Sequence, residues 1–353
     1  MPNLFFELWK FLIKEIETEQ ANCLRKYKDI NCQNCINVCK AEAISLTDNG
    51  IVLNKEKCTY CGICMTYCSN KVINFNFKPF GIFKENSFIY LCQHSLGSEY
   101  SSCLGSLDLR TILLTLSNNH VYRLILSPGD CENCIPGVNT ELKKQVEICQ
   151  NILQHFYTDK KVFLESFFIK SFNRAEVINF YKNKVLENLK TEFVLPFLER
   201  INHQKNRALI SAFKSLGEIK NEYIKESILP WYELKIDTDR CNFCGVCYSL
   251  CPFGSIFYIE ENNTAYIFQR PADCTKCGLC LKVCPEGIIK YLPKNNLRTF
   301  IGKKDILLIS KEFKNCISCS RLILDNTVEV KCINCRKIES IGRDIKEIVK
   351  TLK

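Results

Sequence analysis

The chain has 353 residues, enough for two to four domains, and 46% of them are hydrophobic, which is sufficient for ordinary cores. Its 25 cysteines, without a recognisable secretory signal, argue against a secreted protein and favour a cytoplasmic chain whose reduced thiols mostly bind metal. The formal net charge of +10 is compatible with nucleic-acid binding, but no stripe of basic and aromatic residues supports that function. The sequence has no uncharged apolar run of about 18 residues, so we predict no membrane span.

The N-terminal stretch predicts an amphipathic helix. One helical stripe carries its large apolar residues, which are Leu4, Phe5, Leu8, Trp9, Leu12, Ile13 and Ile16. The stripe could bind a partner or pack against the rest of the chain. Binding to a membrane surface is less favoured because the polar face is acidic.

Eight cysteines follow in a predicted first module, which spans residues 1–80 together with the N-terminal helix. They form two groups of four: Cys23, Cys32, Cys35 and Cys39, then Cys58, Cys61, Cys64 and Cys68. The second group has the spacing C-x2-C-x2-C-x3-C, whereas the first has Asp29 where its first cysteine would stand. Either Asp29 or the upstream Cys23 could supply the missing ligand. We favour Cys23, because soft metal sites prefer thiolate over carboxylate.

The middle domain, predicted over residues 81–156, alternates strands and helices. Apolar runs at 88–91 and 121–126 predict strands, and residues 107–116 and 139–156 predict helices, the last capped by Asn139 or Thr140. This order predicts a small parallel α/β sheet. Cys92 and Cys131 each follow a strand, so we expect them at the carboxyl edge of the sheet, where such folds bind ligands.

Four cysteines of this domain, Cys92, Cys103, Cys131 and Cys134, are candidates for one further centre. Cys134 falls near a predicted helix N-terminus, whose dipole would favour its thiolate. Cys131 and Cys134 could instead form a dithiol that cycles through a disulfide, or all four could be inert structural thiols. His94 is expected to be a surface or hydrogen-bonded histidine rather than a ligand, and Cys149 a small apolar filler.

Residues 157–230 have helical periodicity and contain no set of side chains that suggests chemistry. Pro196 and Pro230 are the only prolines of this segment. We predict a helical spacer or docking surface, with plain core packing as the simpler interpretation.

A second module, predicted over residues 231–297, holds two complete cysteine runs. These are Cys241, Cys244, Cys247 and Cys251, followed by Pro252, and Cys274, Cys277, Cys280 and Cys284, followed by Pro285. Between them, "SIFYIEENNTAYIFQR" predicts a β-hairpin with an Asn-rich turn. The two C-x2-C-x2-C-x3-C-P runs resemble the signature of the bacterial 4Fe-4S dicluster ferredoxins.

In that family the first three cysteines of each run bind one cluster and the fourth binds the other. The resemblance implies one set of Cys241, Cys244, Cys247 and Cys284, and another of Cys274, Cys277, Cys280 and Cys251. For the first module it implies Cys23, Cys32, Cys35 and Cys68, and Cys58, Cys61, Cys64 and Cys39. Lys40 and Ser69 depart from the proline that usually ends each run.

The middle domain resembles the small iron–sulfur subunit of methyl-viologen-reducing hydrogenases. The likeness rests on a cysteine after the first strand, on "CLGSLD" and on an apolar strand that runs into "GDCENC". It implies a further cluster, 2Fe-2S or 4Fe-4S, on Cys92, Cys103, Cys131 and Cys134.

The tail, residues 298–353, contains the pattern C-x2-C-x12-C-x2-C with an apparent hairpin between the two pairs. This spacing is typical of a zinc ribbon, with Zn²⁺ on Cys316, Cys319, Cys332 and Cys335. The same ligands could hold a single iron ion or a cluster.

These features predict an α+β multidomain protein with two ferredoxin-like dicluster modules, a small α/β domain, a helical spacer and a zinc-ribbon-like knuckle pair. The chain contains neither G-x-G-x-x-G nor G-x4-G-K-[ST], and its four histidines offer little acid–base chemistry. The resemblance implies a non-catalytic electron-transfer protein with four 4Fe-4S clusters. Its partner would be a redox enzyme such as a hydrogenase, a formate dehydrogenase or a heterodisulfide-reductase-type complex.

Two other functions remain open from the sequence. The middle cysteines could be the catalytic centre of a redox enzyme that acts on a thiol or sulfur substrate. Alternatively, the protein could bind nucleic acid and use its clusters only structurally. This second function is weaker, because four clusters of charge roughly −2 would offset most of the positive charge.

Overall fold

The computed structural model describes residues 16–27, 30–48, 50–75, 80–92, 103–135, 137–166, 205–225, 229–320, 322–324, 331–332 and 334–341. Asp29, His94, most of the predicted N-terminal helix and most of the predicted helical spacer lie outside these residues. Within them, no helix is both long enough and apolar enough to cross a membrane.

Short strands and helices alternate along the chain. The strands are β1 (Ile16–Thr18), β2 (Ile44–Thr47), β3 (Gly50–Leu53), β4 (Ile73–Phe75), β5 (Phe80–Lys84), β6 (Ser87–Leu91), β7 (Arg123–Ser127), β8 (Lys161–Leu164), β9 (Tyr223–Lys225), β10 (Leu234–Ile236), β11 (Ile256–Glu261), β12 (Thr264–Gln269), β13 (Ile289–Tyr291), β14 (Lys294–Asn296), β15 (Ile306–Asn315) and β16 (Leu322–Leu324). The α-helices are α1 (Asn34–Asn37), α2 (Ile63–Tyr67), α3 (Leu109–Ser117), α4 (Cys131–Cys134), α5 (Val138–Leu153), α6 (Lys205–Ser215), α7 (Val246–Ser249), α8 (Leu279–Val283) and α9 (Leu297–Ile301).

The first module is built from two small antiparallel pairs. Strand β1 pairs with β4, and β2 pairs with β3 as a hairpin. Ile16, predicted on the helical stripe, instead begins β1 and lies opposite Phe75. The apolar core of the module is small, and Ile44, Ile51 and Ile73 are buried in it beside the cysteine thiols.

The second module repeats this topology. Strand β10 pairs with β13, and β11 pairs with β12. The hairpin is the one predicted from the sequence. Its turn residues Asn262 and Asn263 both have positive φ, of 49° and 62°, which is the backbone that a two-residue hairpin turn requires and that asparagine tolerates. Strand β15 then adds to this hairpin, in the order β11-β12-β15-β16.

The middle domain contains a four-stranded sheet in the order β5-β6-β7-β8. Strands β6, β7 and β8 are parallel, in agreement with the alternating pattern of the sequence, and β5 adds antiparallel to β6. Strand β8 lies beyond the boundary predicted at residue 156. The cap predicted for α5 was wrong: α5 begins at Val138, and Gly137 precedes it with a φ of 90°.

Part of the predicted helical spacer belongs to the core of the middle domain. Helix α6 buries Leu209, Ala212 and Phe213 there. The ring of Phe213 packs edge-on against Trp231 and Phe300, whose own rings stack with centroids 3.6 Å apart. For residues 205–215, plain core packing is therefore the correct interpretation.

The modules are joined by contacts between distant segments. Leu24 and Ile30 of the first module share a small buried cluster with Leu279 of the second. The hydroxyl of Tyr67 donates a hydrogen bond of 2.6 Å to the carboxylate of Glu141 on α5. These contacts hold the cysteine-bearing loops of different modules next to one another.

Candidate metal centres

The loops that carry the complete cysteine runs share one backbone shape. The residue before the second cysteine has positive φ in each run, at Tyr60, Phe243 and Lys276. The glycine after that cysteine also has positive φ, of 75° at Gly62, 84° at Gly245 and 72° at Gly278. Two positive-φ residues on either side of one cysteine curve the chain tightly around it, and concave loops of this kind suit an anionic group.

In the first module, the thiol of Cys23 lies with three cysteines that are distant from it in sequence. Burial raises the pKa of Cys23, and the neighbouring thiols of Cys32 and Cys68 raise it further. Burial likewise raises the pKa of Cys35 to about 11, with contributions from Cys68, Cys32 and Cys23. The structure therefore brings together the predicted set of Cys23, Cys32, Cys35 and Cys68.

The other cysteines of this module form a second group. Burial raises the pKa of Cys64, and the thiols of Cys61, Cys39 and Cys58 add to this rise. Burial, Cys61 and Cys39 also raise the pKa of Cys58. In each set, three thiols come from one of the two sequence groups of four cysteines, and the fourth thiol comes from the other group.

The second module shows the same exchange between its two runs. Burial raises the pKa of Cys247 to about 11, and Cys241, Cys244 and Cys284 lie near it. These four cysteines line an apolar pocket together with isoleucines of the core. Burial also raises the pKa of Cys274 to about 11, with contributions from Cys277 and Cys251. Burial raises the pKa of the half-buried Cys280 as well, and the thiols of Cys274, Cys277 and Cys251 raise it further.

The middle domain gathers its four candidate cysteines around one pocket. Cys92, Cys103, Cys131 and Cys134 line it with Leu104, Gly129 and Asp130. Cys92 directly follows β6, and its sulfur accepts a hydrogen bond of 3.0 Å from the N–H of Gly129 in the loop after β7. The carboxyl ends of two parallel strands therefore form this site, as the sequence predicts.

Cys134 is the last residue of α4, a four-residue helix capped by Asp130, and it precedes the start of α5 at Val138 by four residues, so it lies near a helix N-terminus as predicted. The predicted preference for thiolate is nevertheless not found. Burial and the neighbouring Cys92 and Asp130 raise its pKa instead of lowering it. Cys149 is fully buried on α5 within the apolar core, in agreement with its predicted role as a filler.

The tail cysteines are packed more tightly. The sulfur atoms of Cys316, Cys319, Cys332 and Cys335 all lie within 4.8 Å of one another, and those of Cys319 and Cys332 are 3.8 Å apart. The N–H of Cys332 donates a hydrogen bond of 3.3 Å to the sulfur of Cys316, which lowers the pKa of that thiol to about 6. Strand β16 follows Cys319 and pairs with β15, which ends just before Cys316, so the first cysteine pair lies in the turn between these two strands.

The donor sets fit two different kinds of metal group. Zn–S bonds of about 2.3 Å place the sulfurs of a tetrahedral site roughly 3.8 Å apart, which matches the tail. Across the described part of the chain, the tail set alone brings three or more such donor atoms within 4.8 Å of one another. The other sets hold their thiols further apart, as a cluster of several iron atoms requires and a single ion does not.

Comparison with known families supports the cluster interpretation of the ferredoxin-like runs. Residues 234–291 match the model of a 4Fe-4S dicluster domain, and residues 51–74 match that of a 4Fe-4S binding domain. The chain contains ferredoxin-type 4Fe-4S domains. They support an iron–sulfur electron-transfer role. No curated protein gives a significant match to the chain.

These matches do not extend to the whole of the chain. They cover both runs of the second module and the run from Cys58 to Cys68, whereas Cys23 to Cys39 precede the matched residues. They also leave out the middle domain, so its likeness to the hydrogenase subunit stays a resemblance.

Three residues near the ferredoxin loops were missed by the sequence analysis. The buried side chain of Asn206 donates hydrogen bonds of 2.8 Å to the carbonyl groups of Ala272 and Cys274. The hydroxyl of Tyr291 lies beside the loop at Gly278, and the ammonium of Lys311 donates to the carbonyl of Cys241. No local pattern could reveal Asn206 or Lys311, because each reaches its loop from a separate segment.

Proposed function

We propose that the protein is a polyferredoxin that relays single electrons to or from a partner redox enzyme. The observation that supports this most directly is the exchange of fourth cysteines between paired runs in both modules. A 4Fe-4S cluster supplies a centre that takes up and releases one electron with little rearrangement. The loops of this chain partly bury many of the thiols, and backbone N–H groups donate hydrogen bonds to several of them, such as Cys23, Cys58 and Cys241; both features tune such centres.

Four 4Fe-4S clusters would be held by the two modules. In the first module the ligands are Cys23, Cys32, Cys35 and Cys68 for one cluster, and Cys58, Cys61, Cys64 and Cys39 for its neighbour. In the second they are Cys241, Cys244, Cys247 and Cys284, and Cys274, Cys277, Cys280 and Cys251. The grouping of the thiols supports each of these sets.

A fifth centre, 2Fe-2S or 4Fe-4S, would be held by Cys92, Cys103, Cys131 and Cys134. The pocket that these thiols line supports this proposal. Catalysis by a free dithiol is less well supported, because reactive cysteines have lowered pKa values. Burial raises the pKa of Cys103 to about 12 and that of Cys131 to about 11.

The spatial order of the cysteine sets differs from their order in the chain. Besides burial, the thiol of Cys61 raises the pKa of both Cys103 and Cys134, so the middle pocket adjoins the Cys58 set. Within the modules, Cys35 lies near Cys64 and Cys247 near Cys280. The two modules meet where Cys32 and Cys277 pack against the cluster of Leu24, Ile30 and Leu279.

This arrangement favours one continuous path of five sets. The set of the middle domain lies at one end of the path and the Cys241 set at the other. A partner enzyme such as a hydrogenase, a formate dehydrogenase or a heterodisulfide-reductase-type complex would exchange electrons with one of these ends. For the tail we propose a structural Zn²⁺ on Cys316, Cys319, Cys332 and Cys335, which stabilises the fold of the knuckles.

Metal analysis of anaerobically purified full-length protein tests the proposal. We expect about sixteen iron atoms from the two modules, two to four more from the middle domain and one zinc, with sulfide in proportion to iron. The reduced protein should show EPR signals of interacting 4Fe-4S clusters and should reduce a one-electron acceptor. Fewer than about eight iron atoms per chain would contradict this layout.

A variant separates the relay from the enzymatic alternative. Replacement of Cys103 by serine should remove iron from the middle domain and leave the electron transfer of the modules intact. If the isolated wild-type protein instead turns over a thiol or sulfur substrate, and the variant does not, the middle cysteines are catalytic.

A further inference from the structure

Lys311 lies on β15, outside the matched ferredoxin domains, and yet reaches the Cys241 loop. Its ammonium group donates a hydrogen bond to the carbonyl oxygen of Cys241 and lies 5.3 Å from the ring centroid of Phe243. Cys241 is the first cysteine of its set, and Phe243 is the positive-φ residue of the same loop. One cation is therefore fixed over the start of the loop.

The position of Lys311 is set by the sheet. Strand β15 pairs with β12 so that Lys311 lies opposite the fully buried Ala265. Ile309, two residues earlier on the same face of the strand, is buried in the core of the second module. Just before β15, Asp305 accepts two hydrogen bonds from the guanidinium of Arg270, with distances of 2.7 and 2.9 Å.

Lys276 takes a different position in the other run of this module. It donates to the carbonyl of Leu229 and lies over the ring of Tyr232, so it contacts the segment before β10.

We propose that Lys311 raises the reduction potential of the cluster on the Cys241 set by placing a fixed positive charge at its loop. This inference rests on the proposed function. Reduction adds one negative charge to a cluster, and a nearby cation stabilises the reduced form more than the oxidised form. Strand β15 thus extends the sheet and also sets the reduction potential of the cluster at one end of the proposed relay.

The test compares charge with hydrogen bonding at position 311. Lys311→Met removes both, Lys311→Gln keeps a donor without the charge, and Lys311→Arg keeps the charge. Lys314→Met is the matched control, because Lys314 is exposed on the same strand. EPR-monitored redox titrations of the anaerobically prepared full chain are recorded for each variant, after iron content has shown that the clusters are present.

The cluster of the Cys241 set is recognised as the titration component that disappears in Cys244→Ala. For Lys311→Met and Lys311→Gln, we expect the ratio of reduced to oxidised cluster at a fixed potential to fall about tenfold, which corresponds to about 59 mV for one electron. Lys311→Arg and Lys314→Met should titrate as the wild type does. If Lys311→Met loses this cluster, the comparison of Lys311→Gln with Lys311→Arg decides the question.

Two failures can be told apart. A protein with its full iron content whose Cys241 component titrates identically in Lys311→Gln and the wild type overturns the role of Lys311 and leaves the proposed function standing. An equal shift in Lys314→Met would also overturn it, because the effect would then come from the net charge. A wild-type chain without iron overturns both proposals.

Discussion

The two modules share a topology but differ in how their runs begin. In the second module both runs are complete, whereas in the first module Cys23 stands nine residues before Cys32. Cys23 nevertheless follows a 3-10 helix, Gln20–Asn22, as Cys274 follows the 3-10 helix Pro271–Asp273. Their backbones agree closely, with φ and ψ of −69° and 131° at Cys23 and of −74° and 132° at Cys274. The local turn before the cysteine directs its thiol, so regular spacing is not required.

The surroundings of the modules differ more than their loops. The first module packs its Gly62 loop and Tyr67 against the middle domain. The second module is held by Asn206 of α6 and by β15. The same kind of loop is therefore supported by a neighbouring domain in one case and by added segments in the other.

The largest effect is expected from removing the irregular ligand. Cys23→Ala should lose about four iron atoms per chain, since one 4Fe-4S cluster lacks its fourth thiolate. Asp29→Ala, the matched control, should retain all its iron. Anaerobic iron and sulfide analysis, with EPR of the reduced protein, measures both. The reverse result, with iron lost in Asp29→Ala and kept in Cys23→Ala, would show that the carboxylate is the ligand.

The next largest effect is expected from a substitution at the junction between the two modules. Leu279 is 1% exposed and packs with Leu24 and Ile30, so Leu279→Ala should destabilise this junction by about 2–4 kcal/mol. Hydrogen exchange at residues 24–27 and 30 should become faster, because the junction opens without unfolding either module.

Leu281→Ala on the same helix is the control for the junction. Leu281 is partly buried against the core of the second module and takes no part in the cluster of Leu24 and Ile30. Its replacement should leave exchange at residues 24–27 and 30 unchanged. Equal exchange in both variants would mean that the two modules do not depend on Leu279 for their contact.

The sequence predicted those parts of the fold that depend on local patterns. The Asn262–Asn263 turn, the alternation of strands and helices before Cys131 and the grouping of cysteines by spacing all follow from neighbouring residues. The parts that it missed depend on pairing across the chain. Ile16 continues the apolar spacing of a helix, but its backbone pairs with Phe75.

The candidate sites show the same division. The spacing of the cysteines indicated which thiols belong together, and the choice of Cys23 over Asp29 relied on the preference of soft metals for sulfur and on the ferredoxin resemblance. Asn206 and Lys311 could not be found in this way, because the segments that carry them lie 68 and 70 residues from the cysteines they contact. Their positions are set by α6 and β15, whose packing depends on the assembled core.

A smaller loss of stability is expected from alanine at a positive-φ glycine, and its size should differ between the two modules. Gly62 and Gly278 have φ values of 75° and 72°, so alanine at either position should cost about 1–2 kcal/mol. A Cβ at Gly62 would also lie 2.9 Å from the backbone of Ser106, whereas at Gly278 it would meet only the hydroxyl of Tyr291. Gly62→Ala should therefore be the more destabilising change, as measured by anaerobic thermal unfolding. Equal melting temperatures of Gly62→Ala and Gly278→Ala would show that the backbone at Ser106 shifts to accommodate the added Cβ without a cost in stability.

The smallest effect concerns the hydrogen bond that joins the first module to the middle domain. Burial and Glu141 raise the pKa of Tyr67 to about 12, so Tyr67 remains a neutral donor under ordinary conditions. Tyr67→Phe removes this donor, although Glu141 keeps a hydrogen bond of 3.1 Å from Gln145. We expect a loss of about 1–2 kcal/mol in unfolding free energy, since the acceptor is a charged group that retains another partner. Tyr157→Phe, at an exposed tyrosine, should cause no change. A loss as large as that of Leu279→Ala would mean that Tyr67 supports the Cys58–Cys68 loop itself, and iron analysis of the variant would then show a deficit.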